Sequence, residues 1–119
     1  MSQSDDDIDS LLNRYDPPLQ ALARDVLALV RELRPDFSVR VAFGWSTINF
    51  HHRSGFISAI YLSHGHVSLV FQDGRLLDSP LLVDDGKVKK VRWIPFSPGD
   101  TLPVDEIAIL FAEAVALRG

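Results

Sequence analysis

The chain has 119 residues, is 46% hydrophobic, carries a net charge of −4 and contains no cysteine. That length fits a single domain able to bury a core without metal or disulfide staples. The missing cysteines exclude disulfides, thiol catalysis and thiolate metal sites. The acidic balance argues against nucleic acid as a partner, which calls for a field of basic residues.

The first ten residues, MSQSDDDIDS, are acidic and polar, unlike a secretory signal. No apolar run approaches the ~20 residues that span a bilayer, so no membrane partner is expected and the expected location is the cytoplasm. Residues 1–6 read as a polar tail. The run Asp5, Asp6, Asp7 and Asp9 either attracts metal or places favourable charge at a helix start. Ile8, Leu11, Leu12 and Tyr15 follow helical spacing and predict a short helix over residues 7–15.

Asp16-Pro17-Pro18 stops that helix and opens a second, since proline suits a first turn whose N–H groups are not needed. Leu19, Leu22, Ala23, Val26, Leu29, Val30 and Leu33 make one apolar face, and Pro35 ends the helix. Residues 38–43 are either a short strand or an extended connection.

Residues 46–52, 56–62 and 66–72 alternate and are bounded by turn residues, predicting three antiparallel strands. A two-residue turn at His64-Gly65, with glycine supplying positive φ, sets Leu62 opposite Val67 and Ile60 opposite Leu69. A three-residue turn, Arg53-Ser54-Gly55, keeps Ile48 and Phe50 on the same face as these residues. A two-residue turn there would flip every side chain of the strand. The expected core face is then Ile48, Phe50, Phe56, Ile60, Leu62, Val67, Leu69 and Phe71. Residues 73–87 form a loop rich in leucine, expected to pack down and to contain a helical turn. Val88 to Phe96 reads as a fourth strand, with Val91 and Trp93 on one face and Lys90 and Arg92 on the other. After the turn Ser97-Pro98-Gly99-Asp100, Thr101 is placed to cap a last helix whose stripe is Ile107, Leu110, Phe111, Ala114 and Val115. The expected architecture is α+β, with two layers: an antiparallel sheet of about four strands, and the N-terminal helix pair and C-terminal helix packed on one face.

No catalytic motif stands out. His64-Gly65-His66 has the spacing of a metal pair but straddles a turn, and no third ligand is nearby in sequence. His51-His52 are adjacent on a strand and point to opposite faces. Asp84-Asp85-Gly86-Lys87 lacks the ligand spacing of a calcium loop and reads as a turn. Phe43-Gly44-Trp45-Ser46 lacks the second glycine of a nucleophile elbow. Lys87, Lys89, Lys90 and Arg92 form a local basic cluster, read either as an anion or partner site or as a charged edge strand that resists aggregation.

Alternation places Thr47, Asn49, His51, Ile57, Ala59, Tyr61, Ser68, Val70 and Gln72 on the sheet's second face. Lys90 and Arg92 border it if the fourth strand turns its basic side that way. Such a face binds a ligand or is the ordinary wet side of an antiparallel sheet.

The succession Phe43-Gly44-Trp45, Gly55-Phe56-Ile57, Val67-Ser68-Leu69-Val70-Phe71, Gly74-Arg75-Leu76-Leu77-Asp78, Gly86-Lys87 and Val91-Arg92 resembles the YdhG-like family, small bacterial domains of largely unknown function. The resemblance covers roughly residues 18–117. It implies an α+β fold with helices on an antiparallel sheet. One branch is described as frataxin-like intracellular iron chaperones, a likeness that implies iron as cargo, acidic residues presented from a helix and a sheet surface that meets partners. This chain departs from that pattern, because its second helix carries as many bases as acids. The resemblance brings no catalytic residues.

The expectation is a non-catalytic binding protein, monomer or homodimer, that meets a small molecule or protein through Asn49, His51, Tyr61, Lys90 and Arg92 without a cofactor. The alternatives are an iron chaperone and a small enzyme with His51 or His52 as general base.

Overall fold

The computed structural model describes residues 3–53, 55–84, 86 and 89–117. Ser54, Asp85, Lys87 and Val88, which belong to the turns, basic cluster and fourth strand expected above, lie outside the described residues, as does the start of the tail.

The chain folds as α1 (Gln3–Leu12), α2 (Pro17–Leu33), β1 (Ser38–Ala42), β2 (Thr47–His52), β3 (Gly55–Leu62), β4 (Val67–Phe71), β5 (Arg92–Phe96) and α3 (Val104–Leu117). The strands form one antiparallel meander in chain order, β1-β2-β3-β4-β5. It is an α+β fold with five strands instead of about four, because Ser38–Ala42 pairs with β2 along its whole length. α1 begins at Gln3, inside the stretch read as a tail. Its acids meet the next helix: Asp9 pairs with Arg24 at 2.8 Å and Asp5 with Arg31 at 3.3 Å. α3 starts one residue after Pro103, and Ile107 N–H donates to Pro103 O. Among the described residues no helix is long and apolar enough to cross a membrane.

The core lies between the sheet and the helices. Ile48, Phe50, Ile60, Leu62, Val67, Leu69 and Phe71 are buried against Leu11, Leu12, Val26, Val30 and Phe111. Each fully buried side chain of this size contributes about 1.5–3 kcal/mol. Phe37 links the layers, with ring centroids 6.4 Å from Phe50 and 5.5 Å from Phe111.

Leu62 faces Val67, Ile60 faces Leu69 and Ile48 faces Ile60, as the alternation predicts. Two details of the turns differ. Gly65 is not among the positive-φ residues. Ser63 closes that hairpin, its N–H and hydroxyl both donating to His66 O. In the first hairpin His52 pairs with Gly55, and the register shifts beside Phe50 and His51. Ser58 faces Phe50 and Phe56 faces His51, so β3 carries one extra residue, Ile57. A bulge of this kind turns consecutive side chains to one side and inverts the facing of the residues beyond it. Ile57 therefore enters the core at 2% exposure, and Phe56, expected in the core, moves to the opposite face. Gly55 has φ of 114°, a conformation that favours glycine.

The segment after β4 packs down as expected. A 3-10 turn at Gly74–Leu76 lies against β5, and Leu77 is buried. Arg75 N–H donates to Lys90 O and Val83 N–H to Trp93 O, fastening the segment to the start of β5 and the residues leading into it.

Candidate functional site

The helices cover one face of the sheet and leave the other open. On the open face Thr47, Asn49 and His51 of β2 stand beside Ala59 and Tyr61 of β3, with Ser68 and Val70 on β4 and Trp93 on β5. A trough of about 650 Å³ runs over it, lined by Thr47, Asn49, Ala59, Val70 and Gln72 together with the larger Trp45, Phe56, Tyr61 and Val91. A smaller hollow of about 280 Å³ shares Tyr61 and Val70 and adds His66, Ser68 and Trp93. Both tryptophans of the chain stand on this face.

Trp45 is 79% exposed and Tyr61 42%. Exposing a tryptophan forgoes a large burial gain, so something must hold it there. The 3-10 turn Phe43–Trp45 joins β1 to β2 and ends at Ser46 in the left-handed conformation, φ 56°. Phe43 packs on the core under the Arg14 guanidinium, which lies 5.1 Å from its ring and donates to Phe43 O at 3.3 Å. Ser46 O accepts from Leu62 N–H. With its neighbours fixed inward, Trp45 faces solvent at the trough.

Of the residues singled out from the sequence, Asn49 and Tyr61 line the trough. His51 is adjacent, its ring 5.6 Å from Phe56. Burial, and then the positive charge of Arg40, hold the His51 imidazole below its ordinary value of 6.5. Among the described residues its Nδ1 is buried without a hydrogen-bond partner, which favours a neutral ring carrying the proton on Nε2.

Arg92 does not border this face. It pairs with Phe71 on the core side, is mostly buried and meets Asp84 at 3.2 Å. The strand's side is set by Ile94 and Phe96, which share the parity of Arg92 and are buried at 4% and 3%. Trp93 and Val91 consequently face the trough and hollow, reversing the expected arrangement. Lys90 is exposed in the segment leading into β5.

The remaining histidines separate. His52 lies on the core side, its ring 6.1 Å from Phe37 and its Nε2 3.2 Å from Asp36 Oδ2. Arg34 holds Asp36 at 2.6 Å and keeps that carboxyl below its ordinary range. This acid–imidazole contact does not open on the trough, so it closes the edge of the core. His64 stands 6.1 Å from Tyr15, and His66 lines the hollow on the other face, so the two do not converge. Among the described residues no group of three or more His, Asp or Glu side chains is gathered to hold a metal. Asp84 Oδ1 accepts from Gly86 N–H, the local bond of a turn.

Parity alone missed Trp45, Phe56, Val91 and Trp93. One signal was readable: Phe56-Ile57, two large apolar residues in succession, breaks the alternation of β3 where the bulge occurs.

Compared with protein-family models, curated proteins and solved structures, the chain matches none of them.

Proposed function

We propose that this protein is a non-catalytic binding domain whose helix-free sheet face captures a small-molecule or protein ligand. One observation carries the reading: Trp45, Phe56, Tyr61, Val91 and Trp93 gather on the face that the described helices leave open, around a trough of about 650 Å³. Single exposed apolar residues are ordinary, but a contiguous apolar patch on a soluble surface marks a binding site. The trough falls in the roughly 300–1,000 Å³ range of ligand sites, with an apolar lining and the Asn49 and Gln72 amides to orient a ligand.

Trp45 and Trp93 make intrinsic fluorescence a direct reporter. Compounds screened by tryptophan quenching should bind the native protein and lose about tenfold in affinity to a Trp45→Ala/Tyr61→Ser variant, each aromatic contact being worth about 0.5–1.5 kcal/mol beyond its area. The melting temperature should stay unchanged, since both side chains are exposed. Ligands that bind the variant as tightly as the native protein would refute the assignment.

A further inference from the structure

The five strands contain no aspartate or glutamate, in a chain that carries 16 acidic residues. The protein's negative charge therefore sits in its helices and loops. The basic side chains of the strands are Arg40, His51, His52 and Arg92. Arg92 and His52 lie on the core side, against Asp84 and Asp36. Arg40 belongs to the open face: it stands cross-strand from Asn49, which lines the trough. Directly opposed residues hold their Cβ atoms about 4.5–5.5 Å apart, within easy reach of a long side chain. Arg40 is exposed, and among the described residues it has no carboxylate partner. Its charge is felt on this face, where it opposes protonation of His51. An apolar trough is thus flanked by an uncompensated guanidinium.

Resting on the binding role proposed above, we infer that the trough takes a small planar aromatic acid, its ring system against Trp45, Phe56 and Tyr61 and its anionic group toward Arg40. Flat rings stack on such side chains in offset or edge-on geometry. A guanidinium donates two parallel hydrogen bonds to a carboxylate, which fixes orientation as well as sign. The Asn49 amide beside Arg40 supplies a further donor and acceptor. One arginine does not make the basic track that a nucleic-acid strand requires, and a neutral His51 adds no charge, so the complementary ligand carries a single anionic end.

The test compares 2-naphthoate with its uncharged analogue 2-naphthamide by isothermal titration calorimetry. The native protein should prefer the acid by about three- to tenfold, as expected for one solvent-accessible charge-assisted contact. Arg40→Gln should abolish the preference by weakening the acid alone, and Arg40→Lys should restore part of it. Raising ionic strength from about 0.01 M to about 1 M, which shortens the Debye length from ~30 Å to ~3 Å, should shrink the preference in the native protein only. Equal binding of acid and amide, or a preference that survives Arg40→Gln, overturns the charge assignment and leaves the site itself standing. If neither compound binds, the aromatic-acid inference falls and the binding role still rests on the compound screen; if both bind undiminished to Trp45→Ala/Tyr61→Ser, the inference and the binding role fall together.

Discussion

Ile57 and Phe56 are neighbours, and the bulge in β3 gives them opposite fates. Strict alternation would bury Phe56 and expose Ile57, whereas Ile57 is 2% exposed in the core and Phe56 lines the trough. Truncating Ile57 to alanine removes three carbons, a transfer loss of about 2.4 kcal/mol at ~0.8 per methylene. The cavity left behind raises the total to about 3–4 kcal/mol. Phe56→Ala removes a ring that is already partly in solvent and should cost under about 1.5 kcal/mol, despite the larger side chain. In urea, with a slope of roughly 1–3 kcal/mol/M, Ile57→Ala should lower the unfolding midpoint by about 1 M or more. Phe56→Ala should shift it by less than half as much while weakening binding at the trough. If Phe56→Ala is the more destabilising of the two, the bulge is misplaced and the wall it gives the trough goes with it.

Two further perturbations address other joints of the structure. A Cβ at Gly74 would meet Arg92 Cβ at 2.5 Å and Arg92 N at 2.6 Å, where backbone must move. Gly74→Ala should therefore destabilise by about 1–3 kcal/mol in thermal unfolding, and an unchanged midpoint would show that the contact with β5 is slack. His51 is held below 6.5 in the fold, so as pH falls the unfolded chain takes up that proton first. Its contribution to stability is complete above 6.5 and is lost as pH falls through 6.5 toward the lowered folded value. Urea midpoints at about pH 7 and about pH 5 should differ less in His51→Asn than in the native protein, and an identical difference would contradict the burial. In NMR titration Arg40→Gln should move the His51 midpoint upward, since it removes an opposing charge.

The core was readable because burial imposes a period. Ile48, Phe50, Ile60, Leu62, Val67, Leu69 and Phe71 fall at every second position of their strands, and all are buried at 1% or less. Pro17 and Pro18 marked the start of α2 through backbone constraint. What escaped were features set by tertiary contact. The bulge depends on how β2 and β3 close, which alternation cannot count. Trp45 is presented by a 3-10 turn whose geometry rests on Arg14, 29 residues away from Phe43. The side taken by β5 is the one that buries Ile94 and Phe96, and it carries Arg92 inward with them, where Asp84 meets it. Asn49, His51 and Tyr61 were legible as one face. That the face is apolar and aromatic came from the four residues that parity alone did not assign to it.

Amide chemical-shift mapping reads the functional surface directly. Titrating 2-naphthoate into nitrogen-labelled protein should move the backbone resonances of Thr47, Asn49, Ala59 and Val70 and the Trp45 indole N–H, and leave those of α2 and α3 in place. Shifts centred on the exposed Ile109 and Leu117 of α3, with the sheet face silent, would contradict the account.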